Sequence, residues 1–75
     1  MEDVLKILEE NFPDIDFAAE NALIDDGILT SLDIVMLVGE LSNAFDVEIS
    51  VDDLLPENFN SATAIAALIQ RLQSE

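Results

Sequence analysis

A serine follows an acidic, glycine-containing run and opens an apolar helical pattern. Ser31 comes directly after Asp25-Asp26-Gly27-Ile28-Leu29-Thr30. Thr30 is a good N-cap, and Asp33 three residues later completes a weak capping box, so we predict a helix that begins near Ser31. The hydroxyl of Ser31 is then exposed and close to backbone N–H groups that lack an acceptor within the helix. A phosphate ester there would lie at the positive end of the helix dipole, which suits the attachment of a phosphorylated prosthetic group.

The position of this serine is weak evidence by itself. Ser50 and Ser61 are also expected at helix starts, and most serines in such places are only caps. The residue types present say more about what the chain does not do. It has no His, Cys, Trp or Tyr, which excludes the Ser-His-Asp triad, the Cys-His pair and the usual zinc ligand sets. With Gly27 and Gly39 as its only glycines there is no Gly-rich phosphate loop, and no EF-hand spacing occurs. We therefore predict neither an enzyme nor a metal site.

The charge of the chain restricts the classes of partner. Lys and Arg together number 2, and Asp and Glu together number 17, which gives a formal net charge of −15. Such a charge repels nucleic acids and anionic membrane surfaces and attracts basic protein surfaces. The chain is nevertheless 51% hydrophobic, which is too apolar for an acidic disordered tail. No apolar run approaches the length of a membrane span, and the N-terminus Met1-Glu2-Asp3 is acidic. We expect a cytoplasmic monomer with no signal peptide and no membrane insertion.

The hydrophobic periodicity predicts an all-α fold that is formed by residues 1–75 as a single domain. A first helical segment is predicted from about Glu2 to Phe12, and Pro13 is expected to end the helix at or near Asn11. Residues 13–30 carry several turn-forming residues and are predicted to be a long loop. The second helix is expected from Ser31 to about Phe45.

The second half of the chain adds one short and one long helix. Ser50 is predicted to cap a short helix that runs to Leu54 or Leu55, where Pro56 stops it. Residues 57–60 are then expected to form a loop, from which Phe59 inserts into the core. The last helix is expected from Ser61 to about Gln73. The predicted architecture is a small helical bundle with three main helices, one short helix and a long first loop.

The second helix is apolar around much of its circumference. One face is predicted to be core and consists of Ile34, Leu37, Val38, Leu41 and Phe45. Leu32, Val35 and Met36 lie towards the other side, beside Ser31. A helix with this pattern is either fully buried or presents apolar surface to a partner, and the neighbouring serine favours the partner.

The chain resembles the acyl carrier proteins and their peptidyl and D-alanyl relatives. The matching residues are Gly27-Ile28-Leu29-Thr30-Ser31-Leu32 and, after the second helix, Phe45-Asp46-Val47-Glu48-Ile49. The order of the helices and the lengths of the loops also match over essentially the whole chain.

This resemblance implies a carrier protein that bears 4′-phosphopantetheine, derived from coenzyme A, on Ser31 and holds acyl or aminoacyl groups as thioesters. Its implied partners are a phosphopantetheinyl transferase and an adenylating or acyl-transferring enzyme. The second helix of the family is the main recognition surface. The residues expected to bind partners are Thr30, Leu32, Asp33, Val35, Met36, Gly39 and Glu40.

Two departures from the family pattern bear on the pathway. Thr30 occupies the position before the serine, where the family usually has Asp, and this removes a charge beside the attachment point. Only Asp33 and Glu40 are charged between Ser31 and Ala44, whereas carriers of fatty-acid synthesis usually have an acidic second helix.

Within the family, the chain looks most like the D-alanyl carriers of teichoic acid modification, which have an aromatic-Asn-[ST] element before the last helix. Phe59-Asn60-Ser61 matches that element. A carrier for fatty-acid, polyketide or peptide assembly stays open as an alternative. So does a different class of function, an acidic interaction module that covers a basic surface and has no prosthetic group.

Overall fold

Four α-helices and one 3₁₀ turn make up the structure, a computed structural model that describes residues 2–74. Helix α1 spans Glu2–Asn11, α2 spans Ser31–Phe45, α3 spans Pro56–Phe59 and α4 spans Ala62–Gln73. The 3₁₀ turn is formed by Val51–Asp53. No strand is found between residues 2 and 74, so the all-α prediction is confirmed.

The three long helices enclose the core, with α1 packed against α2 and α4, and α2 against α4. The longest dimension of the molecule is 30 Å. Twelve residues from the helices and the first loop are buried: Val4, Leu8, Phe17, Leu23, Leu29, Leu37, Leu41, Phe59, Ala62, Ile65, Leu68 and Ile69.

Each end of α2 has a clear local cause. Thr30, with φ −93° and ψ 171°, caps the N-terminus as predicted. Asp46 ends the helix in the left-handed region at φ 52°, a conformation that Asp tolerates better than most residues. The N–H of Val47 then donates to the carbonyl oxygen of Ser42 at 3.2 Å. The predicted bounds of α2 are therefore confirmed.

The inner face of α2 is only partly as predicted. Leu37 and Leu41 are fully buried, whereas Ile34, Val38 and Phe45 are half-buried and pack against the core from its margin. A bundle of this size has too little interior to bury a complete helix face.

The prediction for residues 50–60 was wrong in two details. The predicted short helix is a 3₁₀ turn that ends at Asp53, before Leu54. The predicted loop at residues 57–60 is largely helical, because Pro56 starts α3 rather than only stopping the preceding element. Proline is favourable at the first position of a helix, where its missing N–H costs no hydrogen bond. Phe59, at the end of α3, is 1% exposed and fills the core as expected.

The long loop between α1 and α2 is held to the bundle by apolar side chains. Phe17, Leu23 and Leu29 from this loop are buried among the helices. Phe12 and Phe17 pack edge to face, with ring centroids 6.5 Å apart. The segment that leads to Ser31 is therefore anchored at several points to the core.

Candidate functional site

Ser31 is the first residue of α2 and is exposed. The cap of this helix is formed by its neighbour. The Thr30 hydroxyl oxygen accepts a hydrogen bond from the backbone N–H of Asp33 at 3.3 Å. The Asp33 carboxylate accepts from the Thr30 N–H at 2.9 Å and from the Thr30 hydroxyl at 3.0 Å. The first turn of α2 is therefore closed without the hydroxyl of Ser31.

The other two serines that sequence reasoning placed at helix starts have a different role. Ser61 is the N-cap of α4, and its hydroxyl oxygen accepts from the N–H of Ala64 at 3.0 Å. Ser50 is the N-cap of the 3₁₀ turn, and its hydroxyl donates to the Asp53 carboxylate at 3.2 Å. These two hydroxyls stabilise local structure, whereas that of Ser31 is left available for chemistry.

The loop before Ser31 folds back on itself in a short turn. Gly27 has φ +71°, a conformation that costs other residues energy, and its N–H donates to the carbonyl oxygen of Ile24 at 3.0 Å. The N–H of Leu29 donates to the carbonyl oxygen of Leu23 at 2.8 Å. Because both leucines are buried, the two ends of the turn are fixed to the core just before Ser31.

Asn60, between α3 and α4, joins this turn to the other half of the chain. Its side-chain oxygen accepts hydrogen bonds from the N–H groups of Ile24 at 3.0 Å and Asp25 at 3.1 Å. Its side-chain nitrogen donates to the Asp25 carboxylate at 3.2 Å. Its backbone carbonyl accepts from the N–H of Leu23 at 2.8 Å. One residue thus binds three consecutive residues of the loop.

Ser31 lines an open, largely apolar groove with a volume of about 590 Å³. One side is formed by the turn before α2 and by α2 itself, and the other by the segment between the 3₁₀ turn and α3. Its lining residues are Ile24, Leu29, Thr30, Ser31, Ile34, Val35, Leu54, Leu55, Pro56 and Phe59.

The far side of the groove is tied to α4. The side chain of Arg71 donates to the side-chain oxygen of Asn58 at 3.2 Å. The side-chain nitrogen of Asn58 donates to the carbonyl oxygen of Asp53 at 2.9 Å. These bonds hold the residue that precedes Leu54 and Leu55 against α3 and α4.

Most residues predicted to bind partners lie on one exposed surface around Ser31. Leu32, Val35 and Met36 are 79%, 64% and 47% exposed, which is unusual for side chains of this size. Thr30, Gly39 and Glu40 are also exposed. Asp33 is half-buried, and its carboxylate accepts hydrogen bonds from Thr30. In the structure Asp33 therefore stabilises the start of α2.

Sequence reasoning missed further exposed apolar residues, of which Leu54 and Leu55 line the groove. Val51 is 83% exposed, and Leu54 and Leu55 are 38% and 44% exposed. The signal was present in the sequence, because a segment of five residues between Ser50 and Pro56 is too short to bury three large apolar side chains. We define the apolar rim as Leu32, Val35, Met36, Val51, Leu54 and Leu55.

Charge around the site is acidic on the loop side. Asp25 and Asp26 are exposed in the turn before Ser31.

Between residues 2 and 74, no group of three or more acidic side chains is arranged to hold a metal ion. In the same part of the chain, no helix is long and apolar enough to cross a membrane.

Comparison with known proteins identifies the class to which this site belongs. Residues 1–70 match the family described as "Phosphopantetheine attachment site". The chain belongs to this family of carrier proteins, whose covalently attached cofactor is 4′-phosphopantetheine and whose members are carriers rather than enzymes. No solved structure matches the chain.

Three similar curated proteins are named D-alanyl carrier protein. One from Streptococcus mutans serotype c is 34% identical over 73 residues, which covers 96% of this chain and 92% of that protein. Those from Lactococcus lactis subsp. lactis and subsp. cremoris are each 38% identical over 53 residues, which covers 71% of this chain and 67% of theirs.

The site fits the cofactor of the family. Ser31 offers an exposed hydroxyl that is not needed for the helix cap, beside the N–H groups of the first turn of α2. The apolar groove that this serine lines has room beside it for a flexible arm. These features favour a carrier over an acidic module that has no prosthetic group.

Proposed function

We propose that Ser31 bears 4′-phosphopantetheine and that the chain is a carrier of D-alanyl groups. The observation that carries the assignment of Ser31 is the separation of two tasks at the start of α2. Thr30 and Asp33 complete the cap, and Ser31 remains exposed and lines the groove. The group would supply a terminal thiol that holds the cargo as a thioester.

The attachment requires a separate transferase. The Ser31 hydroxyl oxygen forms a phosphoester bond with the phosphopantetheinyl phosphorus of coenzyme A, the hydroxyl proton is lost and 3′,5′-ADP leaves. Thr30 supports this reaction indirectly, because it holds the helix start at which the phosphate is placed. Because coenzyme A is available in the cytoplasm, we propose that the chain acts there. We also propose that it is a monomer and that residues 1–75 form a single domain.

Three observations support D-alanine as the cargo. Three similar curated proteins are named D-alanyl carrier protein. Asn60, in the Phe59-Asn60-Ser61 element, is bonded to the loop that leads to Ser31, so this element belongs to the site. The exposed face of α2 is mainly apolar, unlike the acidic second helix typical of fatty-acid carriers.

We propose that partner enzymes bind the apolar rim together with Thr30, Gly39 and Glu40. Exposed apolar side chains supply contact area on binding, while the net charge of −15 attracts basic partners from a distance. An interface of this kind forms quickly and releases easily, as a shuttle between enzymes requires.

The cargo is tested by loading. The phosphopantetheinylated protein is incubated with ATP, radiolabelled D-alanine and a D-alanine-specific adenylating ligase, and separately with ATP, a radiolabelled fatty acid and a fatty-acyl ligase. We expect a hydroxylamine-sensitive D-alanyl thioester in the first reaction and no label in the second. Loading of the fatty acid alone would refute the D-alanyl assignment.

Two alanine variants locate the attachment point in the same assay. Ser31→Ala is expected to abolish loading and to leave helicity unchanged, because Thr30 forms the cap. Ser50→Ala is the matched control at another exposed helix start and is expected to load normally. Normal loading of Ser31→Ala would place the prosthetic group elsewhere.

A further inference from the structure

We infer that Asn60 is a positioning residue that holds the loop before Ser31 in the conformation the transferase binds. This inference rests on the proposed attachment of the prosthetic group at Ser31. Asn60 lies about thirty residues further along the chain and does not line the groove at Ser31, so its action is through the loop.

The side chain of Asn60 is matched to the loop with both of its polar atoms. Its oxygen accepts from the N–H groups of Ile24 and Asp25, and its nitrogen donates to the Asp25 carboxylate. An amide provides one acceptor group and one donor group on the same plane, which a carboxylate or a hydroxyl does not. The loop backbone and the acidic side chain are therefore fixed by a single residue.

Asn60 is itself held in place from both sides. The preceding residue, Phe59, is 1% exposed and is part of the core. The following residue, Ser61, caps α4 through its bond to Ala64. A side chain between two such anchors has little freedom to move, so it can impose its geometry on a more exposed segment.

The effect reaches Ser31 through a short covalent path. The turn that Asn60 binds is closed by the bond from the Leu29 N–H to the Leu23 carbonyl oxygen, and Leu29 is followed directly by Thr30, the cap of α2. Without Asn60, the N–H groups of Ile24 and Asp25 lose their protein acceptor, and the loop exchanges among several conformations. Only a fraction of the molecules then present the loop correctly, and the apparent affinity of the transferase is reduced to that fraction of its full value.

The test compares four variants with the wild-type chain. Asn60→Ala removes all three side-chain bonds, and Asn21→Ala is the matched control because it removes an exposed asparagine from the same loop. Asn60→Asp keeps an acceptor for the two N–H groups but places a like charge beside Asp25. The exchanged pair Asp25→Asn with Asn60→Asp restores a donor and an acceptor and keeps the net charge of wild type.

Two readouts separate positioning from general destabilisation. Amide hydrogen exchange by NMR reports the protection of Ile24 and Asp25 and, as a reference, of Leu68 in α4. Transfer of phosphopantetheine from coenzyme A gives KM and kcat for each variant. Because each of these two N–H groups loses its hydrogen bond to Asn60, protection of Ile24 and Asp25 is expected to fall by about ten-fold in Asn60→Ala. We expect KM for the variant to rise by roughly three- to ten-fold and kcat to change less than about two-fold.

The inference is supported if the exchanged pair recovers the KM of wild type while Asn60→Asp does not. This comparison tests the positioning role of Asn60 even when Asn60→Ala fails to fold. It is overturned if Asn60→Ala is modified with the KM of wild type. It is also overturned if Leu68 loses protection to the same extent as Ile24, because Asn60 would then only stabilise the fold. Absence of any modification at Ser31 in the wild-type chain would instead refute the proposed attachment site.

Discussion

Leu32 should contribute little to folding and much to partner binding. Its side chain is 79% exposed in the free protein, beside Ser31. Full burial of a leucine side chain is worth about 1.5–3 kcal/mol, and only about a fifth of that is realised in the fold. The substitution Leu32→Ala is therefore expected to lower the free energy of unfolding by about 0.5 kcal/mol or less.

The other four-fifths of this side chain becomes buried only when a partner covers it. That corresponds to about 1.2–2.4 kcal/mol by the same measure. Since 1.4 kcal/mol is a factor of ten in an equilibrium constant, Leu32→Ala should weaken binding to the loading enzyme by roughly seven- to fifty-fold.

Two measurements on the same preparation check this division. Urea unfolding gives the free energy of unfolding, and loading at varied carrier concentration gives KM and kcat. The expected pattern is an unchanged unfolding curve with a raised KM. The control is Thr63→Ala, which truncates an exposed residue on α4 and should change neither quantity beyond experimental error.

The reasoning would be refuted by either of two results. A KM equal to that of wild type would show that the partner does not cover Leu32, and the apolar rim would lose its most exposed member on α2. A loss of more than about 2 kcal/mol in unfolding free energy would show that Leu32 is part of the core, contrary to its exposure.

Three further predictions concern the fold. Leu37→Ala, at a fully buried position on the opposite face of α2, should cost about 2–5 kcal/mol in urea unfolding, and a loss below about 1 kcal/mol would contradict the packing. Gly27→Ala should cost about 1–2 kcal/mol in the same assay because its φ is +71°; an unchanged midpoint would mean that the turn relaxes. Added NaCl should raise Tm in thermal unfolding followed by circular dichroism, because it screens a net charge of −15, and a Tm that falls with salt would contradict this.

The long helices could be predicted from the sequence because their signals are local. The period of apolar residues and the Thr30 cap located the start of α2, and the end of α2 at Phe45 followed from the same pattern. The position of Ser31 at that start, with its hydroxyl outside the cap, follows from the cap that Thr30 and Asp33 form.

Other features depend on contacts that the sequence does not display. The start of α3 was missed because Pro56 was interpreted only as a stop, although the same residue is well suited to begin a helix. The far half of the apolar rim required knowledge that the segment around Leu54 lies across from α2. The role of Asn60 depends on hydrogen bonds to Ile24 and Asp25, which lie 36 and 35 positions earlier in the sequence. No local pattern in the sequence predicts these bonds.

The most direct test of the carrier function is the intact mass of the purified protein after incubation with coenzyme A, Mg²⁺ and a broad-specificity phosphopantetheinyl transferase. We predict a gain of one phosphopantetheinyl group, which fragmentation places on Ser31. Failure to gain mass, both in this chain and in Thr30→Asp, would contradict the proposal. The second variant restores the charge typical of the family beside the serine and preserves a residue that caps helices well. A gain that maps to another residue would contradict the assignment of Ser31.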